Sequence, residues 1–85
     1  MLIERRLVCS FLLPSSLRPR NLVDWVQQMV TLHSGVRVTV ETESEPDSRS
    51  IRVFAHNDAD AEVIRCAIAT NRQDWQNAGL KESAA

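Results

Sequence analysis

The chain switches between two hydrophobic periods, and the order of the switches leaves few folds open. From Leu7 to Leu13 apolar residues alternate, with Leu7, Cys9, Phe11 and Leu13 on one side and Val8 and Leu12 on the other. That is the two-residue repeat of a strand covered in part on both faces. Leu22, Val26, Met29 and Val30 then recur at helical spacing, with Trp25 and Leu32 widening the stripe. Pro19 suits the first turn of that helix and Gly35 its left-handed stop. VRVTVET, from Val36, returns to alternation, placing Val36, Val38, Val40 and Thr42 inward and Arg37, Thr39, Glu41 and Glu43 toward water. One covered face implies an antiparallel sheet with an open side. SEPDS is a turn, and RSIRVFA is a third strand with Ile51, Val53 and Ala55 inward. Asn57 or Asp58 caps a last helix whose acidic first turn complements its dipole. Val63, Ile64, Ala67, Ile68 and Trp75 form its inward stripe, which ends near Gly79.

The expected fold is therefore α+β, in the order β-α-β-β-α. A strand-helix-strand crossover leaves strands one and two parallel, and the third strand, tied to the second by a hairpin, runs antiparallel. Slotting it between the others gives a three-stranded sheet of order 1-3-2 with both helices packed on one face. The other face would carry Arg37, Thr39, Glu41, Arg52 and Phe54, and Phe54 is the odd member of that set. Residues 1–80 form one domain, and 81–85 read as a frayed tail.

Charge narrows the functions. The 85 residues carry 10 basic and 11 acidic side chains, a net charge of −1, so no global field draws the chain to nucleic acid or anionic membrane. No apolar run approaches the roughly 20 residues of a membrane span. The start, MLIERRLVCSFLLP, has basic residues before an apolar stretch, but that stretch is short and reads as a strand, not a secretory signal. Cys9 and Cys66 lie far apart without partners at metal spacing, which fits free thiols in a reducing cytoplasm, a disulfide requiring the strand and helix that bear them to face each other.

Donors concentrate at one place, Ser15-Ser16-Leu17-Arg18-Pro19-Arg20. A helix start presents unpaired N–H groups and a positive dipole end, and flanking guanidiniums add bidentate hydrogen bonds. Either Ser15 or Ser16 with Arg18 and Arg20 holds an anion or an acidic partner, or a serine caps the helix and both arginines are solvated. His33, in the last turn of the first helix, and His56, after the third strand, have no cysteine or carboxylate at ligand spacing. No nucleophile sits beside a base in the sequence, and no glycine-rich phosphate loop exists. The expectation is a chain that is not an enzyme and needs no cofactor or metal.

The turn Leu17-Arg18-Pro19-Arg20 also resembles one in the histidine-containing phosphocarriers of the sugar phosphotransferase system, the HPr family, where Leu-His-x-Arg-Pro opens the first helix. Leu17 and Arg20 match that motif. HSGVRVTVETESEPDSRSI is similar to the family's second strand, hairpin and Ser-Ile stretch, with Ser50-Ile51 in register, and IRVFAHNDADAEVIRCAIA to its last strand and helix. The likeness covers about residues 7–70. Arg18 occupies the position of the phosphorylated histidine, the proline precedes the arginine, and the helix after the Ser-Ile stretch is missing, leaving a sheet one strand smaller. The resemblance thus implies a reduced, HPr-like regulatory module that carries no phosphoryl group. Its partner would be a protein with an acidic or phosphorylated surface, met by Ser15, Ser16, Arg18 and Arg20, with Phe54, Arg37 and Arg52 as a second contact on the sheet. A monomer or weak dimer in the cytoplasm is expected. The alternative is a KH-like RNA-binding domain, supported by the local set Arg5, Arg6, Arg18 and Arg20 and disfavoured by the neutral charge, the missing Gly-x-x-Gly loop and the lack of paired aromatics.

Overall fold

A computed structural model describes residues 5–14, 19–44 and 48–83. The elements run β1 Arg6–Leu13, α1 Pro19–Ser34, β2 Val38–Ser44, β3 Arg49–Ala55, α2 Asp58–Thr70, α3 Arg72–Asn77 and β4 Lys81–Ser83. All four strands form one antiparallel sheet in the order β2-β3-β1-β4. With α3 set aside, this is the connectivity of a ferredoxin-like split β-α-β domain, a scaffold that hosts many unrelated functions.

Strand β3 lies between β1 and β2, but the described residues form four strands and three helices, where the sequence predicts three and two. Both differences arise after Thr70. Asn71 ends α2 by bonding the Ala67 carbonyl through its backbone N–H (3.1 Å) and its side-chain amide (2.7 Å). The chain then restarts as α3. At its end Leu80 N–H donates to Trp75 C=O (2.9 Å) and Gly79 N–H to Gln76 C=O (3.0 Å), with Gly79 at φ 85°. These are the paired bonds of a Schellman turn, which needs a left-handed residue at this glycine. The turn buries Leu80 and sends residues 81–83 along the free edge of β1, so the segment read as a frayed tail pairs as a strand.

The core lies between the helices and one sheet face. Phe11, Ile51, Val53, Ala55, Val38 and Val40 meet Val26 and Val30 of α1, Ile64 and Ile68 of α2, and Trp75. Trp75 joins the layers. Its indole donates to Ile68 C=O (3.0 Å), and its ring centroid lies 5.5 Å from those of both Phe11 and Trp25. Gly35 closes α1 at φ 72°, bonding Thr31 C=O at 2.8 Å. Asn57 caps α2, its side-chain oxygen accepting from Asp60 N–H at 2.8 Å.

Several inward assignments fail for local reasons. Leu32 is 75% exposed, because it projects about 200° around the helix from Val30. Val63 sits at the edge of the α2 stripe and is exposed. Thr42 lies opposite core-facing Ile51 but is exposed near the end of β2, whereas Val36, just before that strand, is half-buried and packs against the core as expected. Leu7 does not share a face with Cys9, because a β-bulge between them interrupts the alternation.

Candidate functional site

The face of the sheet that no helix covers is built by the alternation itself. Because Ile51, Val53 and Ala55 point into the core, Ser50, Arg52 and Phe54 of β3 point the other way. Phe54 thus stands on an inner strand of the sheet and is half-buried. Leu7, 45% exposed, is its cross-strand partner on β1. Leu12, 39% exposed, lies farther along β1 between Ser50 and Lys81 of the neighbouring strands. These three side chains are the apolar part of the face.

Its charged part lies toward β2. The Arg5 guanidinium sits 5.0 Å from the centroid of the Phe54 ring and pairs with Glu41. Arg52 pairs with Glu43. One arginine is therefore held over an aromatic ring, where cation–π attraction and a carboxylate fix it together. Exposed pairs of this kind contribute only about 0–1 kcal/mol to stability, so their main effect is on the shape and charge of the face.

The structure also brings a hydroxyl to an imidazole. Thr39 Oγ1 and His56 Nε2 are 3.2 Å apart, although 17 residues separate them in sequence. The strand register produces this contact by setting Thr39 opposite Phe54, two residues before His56. An activated hydroxyl needs its base oriented by a third group. Among the described residues no carboxylate or carbonyl bonds the other ring nitrogen, and the pair lies beside an open face. His33 lies in the last turn of α1 and is exposed. Among the described residues no three histidine, cysteine or acidic side chains are placed to hold a metal ion.

Of the residues singled out in sequence, Phe54, Arg52, Thr39 and Glu41 come together on the helix-free face, with Arg37 exposed just before β2. Ser15, Ser16 and Arg18 lie outside the described residues, and Arg20 falls in the first turn of α1. Ser50 and Ile51 lie within β3. The sequence offered Arg5 only as one of a basic set for nucleic acid, because no local pattern shows that it crosses to Phe54, and it put Leu7 on the wrong face, because the bulge is invisible in the alternation. Cys9 and Cys66 are both free thiols, one buried beneath the helices and one exposed on α2. Burial, and to a lesser degree the Glu82 carboxylate, pushes the Cys9 thiol up to about 12. Among the described residues no helix is long and apolar enough to cross a membrane. No family model matches this chain, and neither a curated protein nor a solved structure resembles it closely enough to count as a match.

Proposed function

We propose that this domain is a non-enzymatic, regulatory protein-binding module whose main contact is the helix-free face of the sheet, centred on Phe54. The observation that carries the reading is the grouping of Phe54, Leu7 and Leu12 on that face, bordered by the Arg5–Glu41 and Arg52–Glu43 pairs. An aromatic with arginine beside it, surrounded by polar groups, is the composition that interface centres favour. The helix start is a second contact in this reading, with Arg18 and Arg20, and Ser15 or Ser16, engaging a carboxylate or phosphate of the partner. The likeness to the HPr family fits such a module, since Arg18 stands where those carriers hold their phosphorylated histidine. Two free thiols suit a reducing compartment such as the cytoplasm.

Affinity capture from the host cell with quantitative mass spectrometry tests this reading. A protein retained by the wild-type domain should be lost, by tenfold or more, on Phe54→Ser combined with Leu12→Ser; about 1.4 kcal/mol is enough for that, within the range of one interface anchor. It should be kept on Gln28→Ser, a change on the exposed side of α1. Equal retention by both variants, or recovery of RNA in place of protein, would contradict it. Single-stranded RNA would use the same face, but such sheets stack two or three bases on several aromatics, and here Phe54 is one aromatic whose covering Arg5 is already paired with Glu41.

A further inference from the structure

The outer edge of β2 is long and regular. All seven of its residues pair with β3 without a register shift, and its other side has no neighbour among the described residues. Exposed edges are usually blunted by charge, above all lysine, or by proline, a bulge or brevity. Strand β2, VTVETES, has no lysine, proline or bulge and only its two glutamates as guards, whereas the opposite edge of the sheet, β4, is three residues long.

We infer that β2 pairs antiparallel with β2 of a second copy, in the register centred on Val40, giving a continuous eight-stranded sheet. Charge selects both occupant and register. Centred on Val40, the two-fold places Arg37 opposite the partner's Glu43 twice, Thr39 opposite Glu41 twice, Val38 opposite Thr42 twice and Val40 opposite itself. Centred on Glu41, it opposes two glutamates directly, and centred on Thr42 it sets Glu41 against Glu43 twice. Like charges directly opposite are destabilising and opposite charges favourable. A register centred on Thr39 would draw in Gly35 and Val36, which precede the strand, with Gly35 at φ 72°. The Val40 register sets no like charges opposite one another and reaches only one residue, Arg37, beyond the regular strand. It stands independently of the sheet-face reading, since Phe54 is not at this edge.

Sedimentation velocity over a concentration series tests the pairing. The wild-type chain should dimerise reversibly. Arg37→Glu should weaken the dimer about tenfold or more, since two favourable pairs become two repulsive ones. Glu43→Arg should do the same, and R37E/E43R together should restore association, with circular dichroism showing folded monomers throughout. Register is read by disulfide trapping in a Cys66→Ser background. A mixture of Thr39→Cys and Glu41→Cys chains should cross-link to each other, and neither variant should link to itself efficiently. A wild-type chain that stays monomeric at the highest concentration, a double charge swap that fails to restore the dimer, or self-linking of Thr39→Cys would each overturn the inference.

Discussion

Cys9 shows how one burial event sets a pH response. Its thiol lies under the helices, and loss of solvent, with Glu82 nearby, pushes it up to about 12. An unfolded chain would ionise a thiol at about 8.5, whereas the folded one keeps its proton there. The folded state thus binds more protons, so the stabilisation is complete below the ordinary thiol range and is lost as pH rises toward 12. The slope is at most about 1.4 kcal/mol per pH unit. Urea unfolding at a series of pH values above 9 should show this fall, and Cys9→Ala should flatten it. An unchanged slope in that variant would contradict the assignment. Arg18 and Arg20 raise a different question at the same scale. A bidentate, desolvated guanidinium at an interface contributes about 2 kcal/mol, against about 0–1 for a solvated pair. Arg18→Ala with Arg20→Ala should weaken partner binding at least tenfold by calorimetry while the circular dichroism stays native. Unchanged affinity in a folded double variant would leave the serine-arginine cluster as a solvated helix start.

Elements follow the hydrophobic period where the period is long and fail where one residue decides. Helix α1, β2, β3 and α2 were all legible, because their stripes repeat over several turns or pleats. The break at Asn71 was not, and the reason is geometric. Trp75 lies seven residues after Ile68, two turns along, so it faces the core whether the helix is continuous or restarts. Strand β4 was missed because Lys81-Glu82-Ser83 has no apolar alternation of its own. It exists because the Schellman turn at Gly79 aims the chain along an edge that β1 leaves free. Gly79 followed by buried Leu80 was the available signal, a glycine at the helix stop with an apolar residue after it. Gly79→Ala should therefore cost about 1 kcal/mol, since φ 85° penalises any Cβ. Trp75→Ala should cost about 3–5 kcal/mol through the cavity it leaves among Phe11, Trp25 and Ile68. Chemical denaturation separates the two, and a Trp75→Ala protein of wild-type stability would remove α3 from the account of the core.

At the scale of the whole molecule, the three helices among the described residues lie on one sheet face and none of them covers the other. The sequence placed Phe54, Arg52, Thr39 and Glu41 on the open face correctly, because a two-residue period cannot put them elsewhere once Ile51 and Val53 are buried. It could not show that Arg5 reaches Phe54 or that Thr39 meets His56, since strand register and order determine both. Site-specific photo-crosslinking tests most directly whether this face is the binding surface. A benzophenone amino acid would replace Ser10, which lies opposite Arg52 on the helix-free face, or Gln28, on the exposed side of α1. In host cells the Ser10 probe should give a discrete cross-linked protein that the Gln28 probe does not, and Phe54→Ser should abolish it. Equal labelling from both positions, or cross-links to nucleic acid alone, would contradict the claim that the open sheet face binds a protein.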